Sequence, residues 1–142
     1  MNIKHCIGQG GSGAGGAGNE SYIELWNPAT TGKDLKVKRI ELNTADTVII
    51  FKTHTAKQGS TAKSKADVNP ALDSPDAEIY GDNAASVSGT TRITFTLTAN
   101  TNRVVEFPDP IIIQPGYSFV LVNNTDDLAI NEIIFYWDEV DQ

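Results

Sequence analysis

From Ser21 onward, apolar residues recur at every second position, and this spacing limits the possible folds more than any other feature of the chain. A period of two puts successive side chains on opposite faces of an extended strand, whereas a helix needs a period near 3.6. The stretch TRITFTLTAN is the plainest case: Ile93, Phe95 and Leu97 share one face, and Arg92, Thr94, Thr96 and Thr98 share the other. Such alternation predicts an antiparallel strand with one buried and one wetted face. Similar patterns, punctuated by turn-forming residues, predict strands over 22–26, 35–42, 47–53, 103–107, 117–123 and 130–139. Seven or eight strands in 142 residues predict one all-β domain, an antiparallel β-sandwich, spanning 21–142.

Two strands break strict alternation. In LKVKRIEL, Leu35 and Val37 share one parity while Ile40 and Leu42 take the other, so a regular strand cannot bury all four. A bulge near Lys38-Arg39 resolves this, because one extra residue reverses the facing of everything after it. In INEIIFYWDEV, Ile133, Phe135 and Trp137 oppose Ile134 and Tyr136, which predicts a central strand or one at a subunit contact.

Two segments lack strand periodicity. GQGGSGAGGAG carries almost no side chain to bury, and its backbone would lose much entropy on ordering, so 1–20 reads as a flexible glycine-rich arm. Between Lys57 and Thr90 only Val68, Leu72, Ile79, Tyr80 and Val87 are anchors, which predicts a functional or interface loop with a brief paired segment at Ile79-Tyr80.

Composition and motifs exclude most chemistry. A formal net charge of -7 repels nucleic acid unless basic residues are segregated. Alternation puts Lys36 and Lys38 on one face and Lys33, Val37 and Arg39 on the other, which splits the densest basic run. The single cysteine, Cys6, allows no internal disulfide and no cysteine pair for a metal, and fits intracellular synthesis. No apolar run suits a signal peptide or a membrane span. Thr30-Thr31-Gly32-Lys33 resembles a phosphate loop only superficially: Asn27 stands where the first glycine belongs, Asp34 follows the lysine, and a strand pattern replaces the helix. It reads as a turn, as does Pro115-Gly116.

Asp109, Asp126, Asp127, Asp138, Glu139 and Asp141 do not form the Asp-x-Asp-x-Asp-Gly calcium loop and read as solvating charge. His5 and His54 have no spaced partner for zinc or a triad, and His5-Cys6 in an arm cannot hold catalytic geometry. The expectation is a non-enzymatic protein without metal or cofactor. Of the aromatics that could stack on a sugar, Tyr22, Trp26, Tyr80, Tyr117 and Trp137, most sit where a strand would use them as core.

Three stretches, YIELWNPATTGKDLKVKRIEL, IIIQPGYSFVLVNN and IIFYWDEV, together resemble a pattern found in small virion proteins of tailed bacteriophages. The likeness runs from Tyr22 to Glu139 without the middle loop, and Thr30-Thr31 replaces the usual small Gly-Ser pair. It implies a jelly-roll-like sandwich made in the host bacterial cytoplasm and carried in the virion, as capsid decoration or part of a head or tail fibre. The implied partners are copies of the chain, as a homotrimer, and the major capsid or another virion protein. Ile133, Phe135, Trp137, Tyr136, Tyr22 and Trp26 are the candidate interface residues. The alternative is a carbohydrate- or receptor-binding module at a fibre tip that reads a host surface glycan with Tyr80 and the 57–90 loop.

Overall fold

A computed structural model describes residues 3–68 and 74–142, and Leu72, one of the expected loop anchors, lies outside them. Among the described residues ten strands form two five-stranded antiparallel sheets. In chain order they are β1 (Ile3–Ser12), β2 (Glu20–Asn27), β3 (Lys33–Thr44), β4 (Val48–Thr55), β5 (Ser64–Asp67), β6 (Glu78–Ala84), β7 (Thr90–Thr96), β8 (Arg103–Ile113), β9 (Tyr117–Asn123) and β10 (Ile130–Asp141). The first sheet runs β5-β1-β10-β3-β8 and the second β6-β2-β9-β4-β7.

Without β5 and β6, each sheet interleaves early and late strands, which is the order of a jelly roll. The register shows how this arises. Ile3 pairs with Val140, Tyr22 with Val122, Leu35 with Ile113 and Val48 with Thr96. The chain is thus one long antiparallel ribbon, doubled back near its middle and rolled so that its strands alternate between two layers. The all-β sandwich expected from alternation is what forms.

Inward-facing residues fill the space between layers. Leu35, Val37, Ile40 and Leu42 of β3 are all fully buried. The register shift between Val37 and Arg39 is the bulge that makes this possible. At the centre, Phe51 stacks on Phe119 at 3.9 Å, and Phe119 meets Phe135 of the opposite sheet edge-on at 5.6 Å. Each fully buried large aliphatic or aromatic side chain contributes about 1.5–3 kcal/mol relative to exposure.

The segment expected to be a flexible arm differs from that reading over its first half. Ile3–Ser12 is β1, hydrogen-bonded between β10 and β5. Its glycines are sites of close approach. A Cβ on Gly8 would lie 2.7 Å from Ile79 Cγ1 and 3.0 Å from Trp137, and one on Gly11 would lie 2.6 Å from the Asn131 carbonyl oxygen. Only glycine lets β6 and the core tryptophan pack this near the β1 backbone.

The weakly patterned 57–89 segment is an insertion in the jelly roll. β5 extends the first sheet beside β1, and β6 extends the second beside β2. The expected paired segment at Ile79-Tyr80 lies within β6. An isolated bridge joins Ala62 to Tyr80, with Lys63 N–H donating to the Ile79 carbonyl at 2.8 Å. The insertion therefore closes one flank of the sandwich and leaves the β7/β8 flank open.

Three buried carboxylates hold the loops. Glu24 accepts the backbone N–H groups of Gln58 and Gly59, Asp46 those of Thr47, Val48 and Thr125, and Glu139 those of Asp76 and Ala77 together with the Trp137 indole N–H. Glu139, expected on the solvated surface, is 1% exposed because that amide set replaces its water.

A Gly8→Val protein should lose about 1–3 kcal/mol in urea unfolding, the range for overpacking a filled site. Gly13 has nothing within 4 Å of its would-be Cβ, so Gly13→Val should change stability by less than about 0.5 kcal/mol.

Candidate interaction surface

Most of the expected interface residues lie in the core. Ile133, Phe135 and Trp137 are fully buried on the inner face of β10, and Tyr22 is 3% exposed. β10 is central, one of the two placements its pattern allowed, and its inner parity is consumed by the opposite sheet. Tyr22 faces outward from β2 but is covered within the chain, where it clusters with Val87, Val120 and Val122. Ile133, Phe135, Trp137 and Tyr22 are therefore covered within the chain and offer no surface to a second subunit. Trp26 remains half-buried, and Tyr136 is half-buried on the outer face of the first sheet.

That outer face carries the most distinctive surface. The β3 bulge overturns the expected splitting of the basic run, because it brings Lys38 and Arg39 to the same side of the sheet. Lys38 Nζ lies 2.7 Å from Asp138, and Arg39 stacks 5.1 Å from the Tyr136 ring centroid. Tyr136 donates its hydroxyl to Glu41 at 2.6 Å; that bond first, then burial, raises its pKa. Beside them β8 breaks pairing between Glu106 and Ile111, where Pro108 and Pro110 have no N–H to give. The result is a groove of about 500 Å³ with Tyr136, Phe107 and Pro108 as apolar walls and Lys38, Arg39 and Glu106 at its rim. Val104, 47% exposed, continues the apolar flank along β8.

The other expected sites resolve individually. His5 and Cys6 point to opposite faces of β1: His5 Nδ1 lies 2.6 Å from Asp138 on the outside, while Cys6 is buried inside. Burial, then the neighbouring Glu139 and Asp67 charges, pushes the Cys6 thiol pKa far up, so it carries no thiolate at neutral pH. Tyr80, the expected sugar platform, is 8% exposed. Its hydroxyl donates to Glu78 and Lys57 covers its ring at 4.7 Å. Burial and then the Glu78 bond push its pKa to about 12. Among the described residues no group of three or more His, Cys, Asp or Glu side chains is placed to hold a metal ion.

Residues 28–32 form the turn between β2 and β3, as expected, with Asn27 and Lys33 as the flanking strand ends. Gly32 takes φ +64°, Asn27 Nδ2 donates to the Lys33 and Ile113 carbonyls, and Thr31 donates to Asn27 Oδ1 at 2.8 Å. Lys33 Nζ then pairs with Asp76 of the insertion at 2.5 Å. Pro115-Gly116 is likewise a turn, with Gly116 at φ +85° and Tyr117 N–H donating to the Gln114 carbonyl at 3.2 Å. No family model matches the chain, and comparisons with curated proteins and with solved structures find no match.

The Lys33–Asp76 hydrogen bond lowers the Asp76 pKa and raises that of Lys33. The depressed carboxyl contributes stability above its unfolded pKa, lost as pH falls through the folded value. The raised ammonium contributes below its unfolded pKa, lost as pH rises through its folded value. Lys33→Met should therefore be less stable than wild type at neutral pH, by under about 1 kcal/mol because the pair is solvent-screened. Urea titrations should show the difference vanishing once the pH falls below the Asp76 range.

Proposed function

We propose that the protein is a non-enzymatic structural component of a tailed-bacteriophage virion, acting through contacts between subunits. Three things support this reading: the resemblance of its turn and strand-end motifs, its jelly-roll order, and one observation that carries most weight. The groove at Tyr136, Phe107 and Pro108 and the exposed Val104 lie together on the uncovered side of β8. Paired cations and apolar walls of this kind suit side-chain docking by a folded partner.

The prolines of β8 favour that mode over strand addition, since they interrupt the free edge that another strand would pair with. The partner is a second copy of this chain, in a closed homotrimer. With a net charge of -7, each copy brings acidic surface to the Lys38 and Arg39 rim of the next. The trimer would sit on the major capsid protein or another virion protein, as capsid decoration or part of a fibre.

Sedimentation at micromolar concentration should give a trimer. Val104→Glu and Tyr136→Ala should shift it toward monomer with a native circular dichroism spectrum. A wild-type monomer at that concentration, or variants that remain trimeric, would sink the proposal.

A further inference from the structure

At the C-terminal end of β8, beyond the groove, residues of both sheets line a mouth on the surface. Two adjoining depressions of about 220 and 290 Å³ share Thr53, Arg92 and Tyr117. Sheet pairing explains why these side chains meet. Phe51 pairs with Ile93 but Lys52 pairs with Thr91, so Arg92 is the extra residue of a bulge in β7. A bulge re-aims the side chain it carries. Arg92 turns toward Thr53, donating from Nε to its hydroxyl at 2.9 Å, and this one bond orients the guanidinium.

Among the described residues no carboxylate pairs with Arg92, and neither depression has an acidic residue in its lining. That absence is notable in a chain with eighteen acidic residues. Tyr117, 43% exposed, is placed at the start of β9 by the Pro115-Gly116 turn, with its ring on the wall of both depressions. His54 has Nδ1 engaged by the Ala56 carbonyl at 3.1 Å, which leaves Nε2 for a ligand. Gln114 adds an amide from the turn between β8 and β9.

We propose that this mouth binds a carboxylate-bearing sugar unit, a hexuronate or similar acidic saccharide. The oriented guanidinium suits a carboxylate, a group a neutral hexose lacks, through two parallel N–H donors. An exposed tyrosine ring offers an apolar face for the C–H side of a pyranose, with its own hydroxyl left for water or ligand. Thr53, Gln114 and His54 supply the mixed donors and acceptors that sugar hydroxyls require. The site is separate from the assembly groove in residues and in position, so either proposal can fail without the other.

The test uses the full chain, with galacturonate and its neutral counterpart galactose followed by NMR titration, and polygalacturonate as the polymeric source. Galacturonate should perturb Thr53, His54, Arg92 and Tyr117 and bind more tightly than galactose. Arg92→Gln should weaken galacturonate by about tenfold or more while leaving galactose unchanged, as expected for loss of a charged hydrogen bond. Tyr117→Ala should weaken both sugars. Tighter binding of polygalacturonate than of the monosaccharide would assign the source to a surface polymer, and equal binding would assign it to the single acidic unit. Failure of galacturonate to perturb these residues would overturn the proposal, as would acetate competing equally or Arg92→Gln retaining full affinity in a protein with native spectra.

Discussion

Pairing of β10 with β1 on one side and β3 on the other is the constraint on which the rest of the molecule depends. β10 supplies Ile133, Phe135 and Trp137 to the core and Glu139 to the insertion, so its docking completes both. Its partners in β1 are more than a hundred residues distant, Ile3 opposite Val140 being the extreme. Closing so long a loop adds little thermodynamic penalty, because that cost grows only with the logarithm of length. It does slow the search for the native pairing, so a fold whose strands nearly all pair across the chain is reached late and cooperatively.

Where apolar content is too thin to hold a segment, buried carboxylates take over. Glu24, Asp46 and Glu139 are each within 3% of complete burial, which would be prohibitive for an unpaired charge. All three are spent on backbone amides of loops with little apolar content of their own. Residues 58–59, 47–48 and 125, and 76–77 are fixed in this way. The arrangement explains how 57–89, poor in large apolar residues, can still close one flank of the sandwich.

The features legible from sequence were those governed by parity. Leu35 and Val37 against Ile40 and Leu42 required a bulge, and one is present between Val37 and Arg39. The Pro-Gly and Asn-Pro turns followed from backbone chemistry alone. Parity does not say which layer covers a face, however. Trp137 and Tyr136 are neighbours with similar hydrophobic content, yet one fills the core and the other walls a groove. Glycine content was misleading for a related reason: the backbone entropy argued for an arm at 1–20, but the benefit of bringing Ile79 and Trp137 against Gly8 depends on residues seventy and more positions away. Arg92 was read as one of a row of wetted side chains, since a β7 bulge leaves no mark on alternation that is otherwise intact over Ile93 and Phe95.

The two flanks of the sandwich are unequal, and this inequality gives the molecule a direction. On one side the insertion adds a strand to each sheet, and the Ala62–Tyr80 bridge links the chain across the gap. On the other, β7 and β8 are edges whose side chains are mostly exposed, with Ile93, Val104 and Ile112 among the large apolar residues left in water. Long bare edges invite indiscriminate pairing. Here β8 interrupts its own edge at Pro108 and Pro110, and β7 bulges at Arg92, so neither presents a regular ladder. The same irregularities that block strand addition create the groove beside Tyr136 and the mouth beside Tyr117. A fold that must protect an open flank without covering it is left with depressions of defined shape there, lined by side chains that the core does not consume.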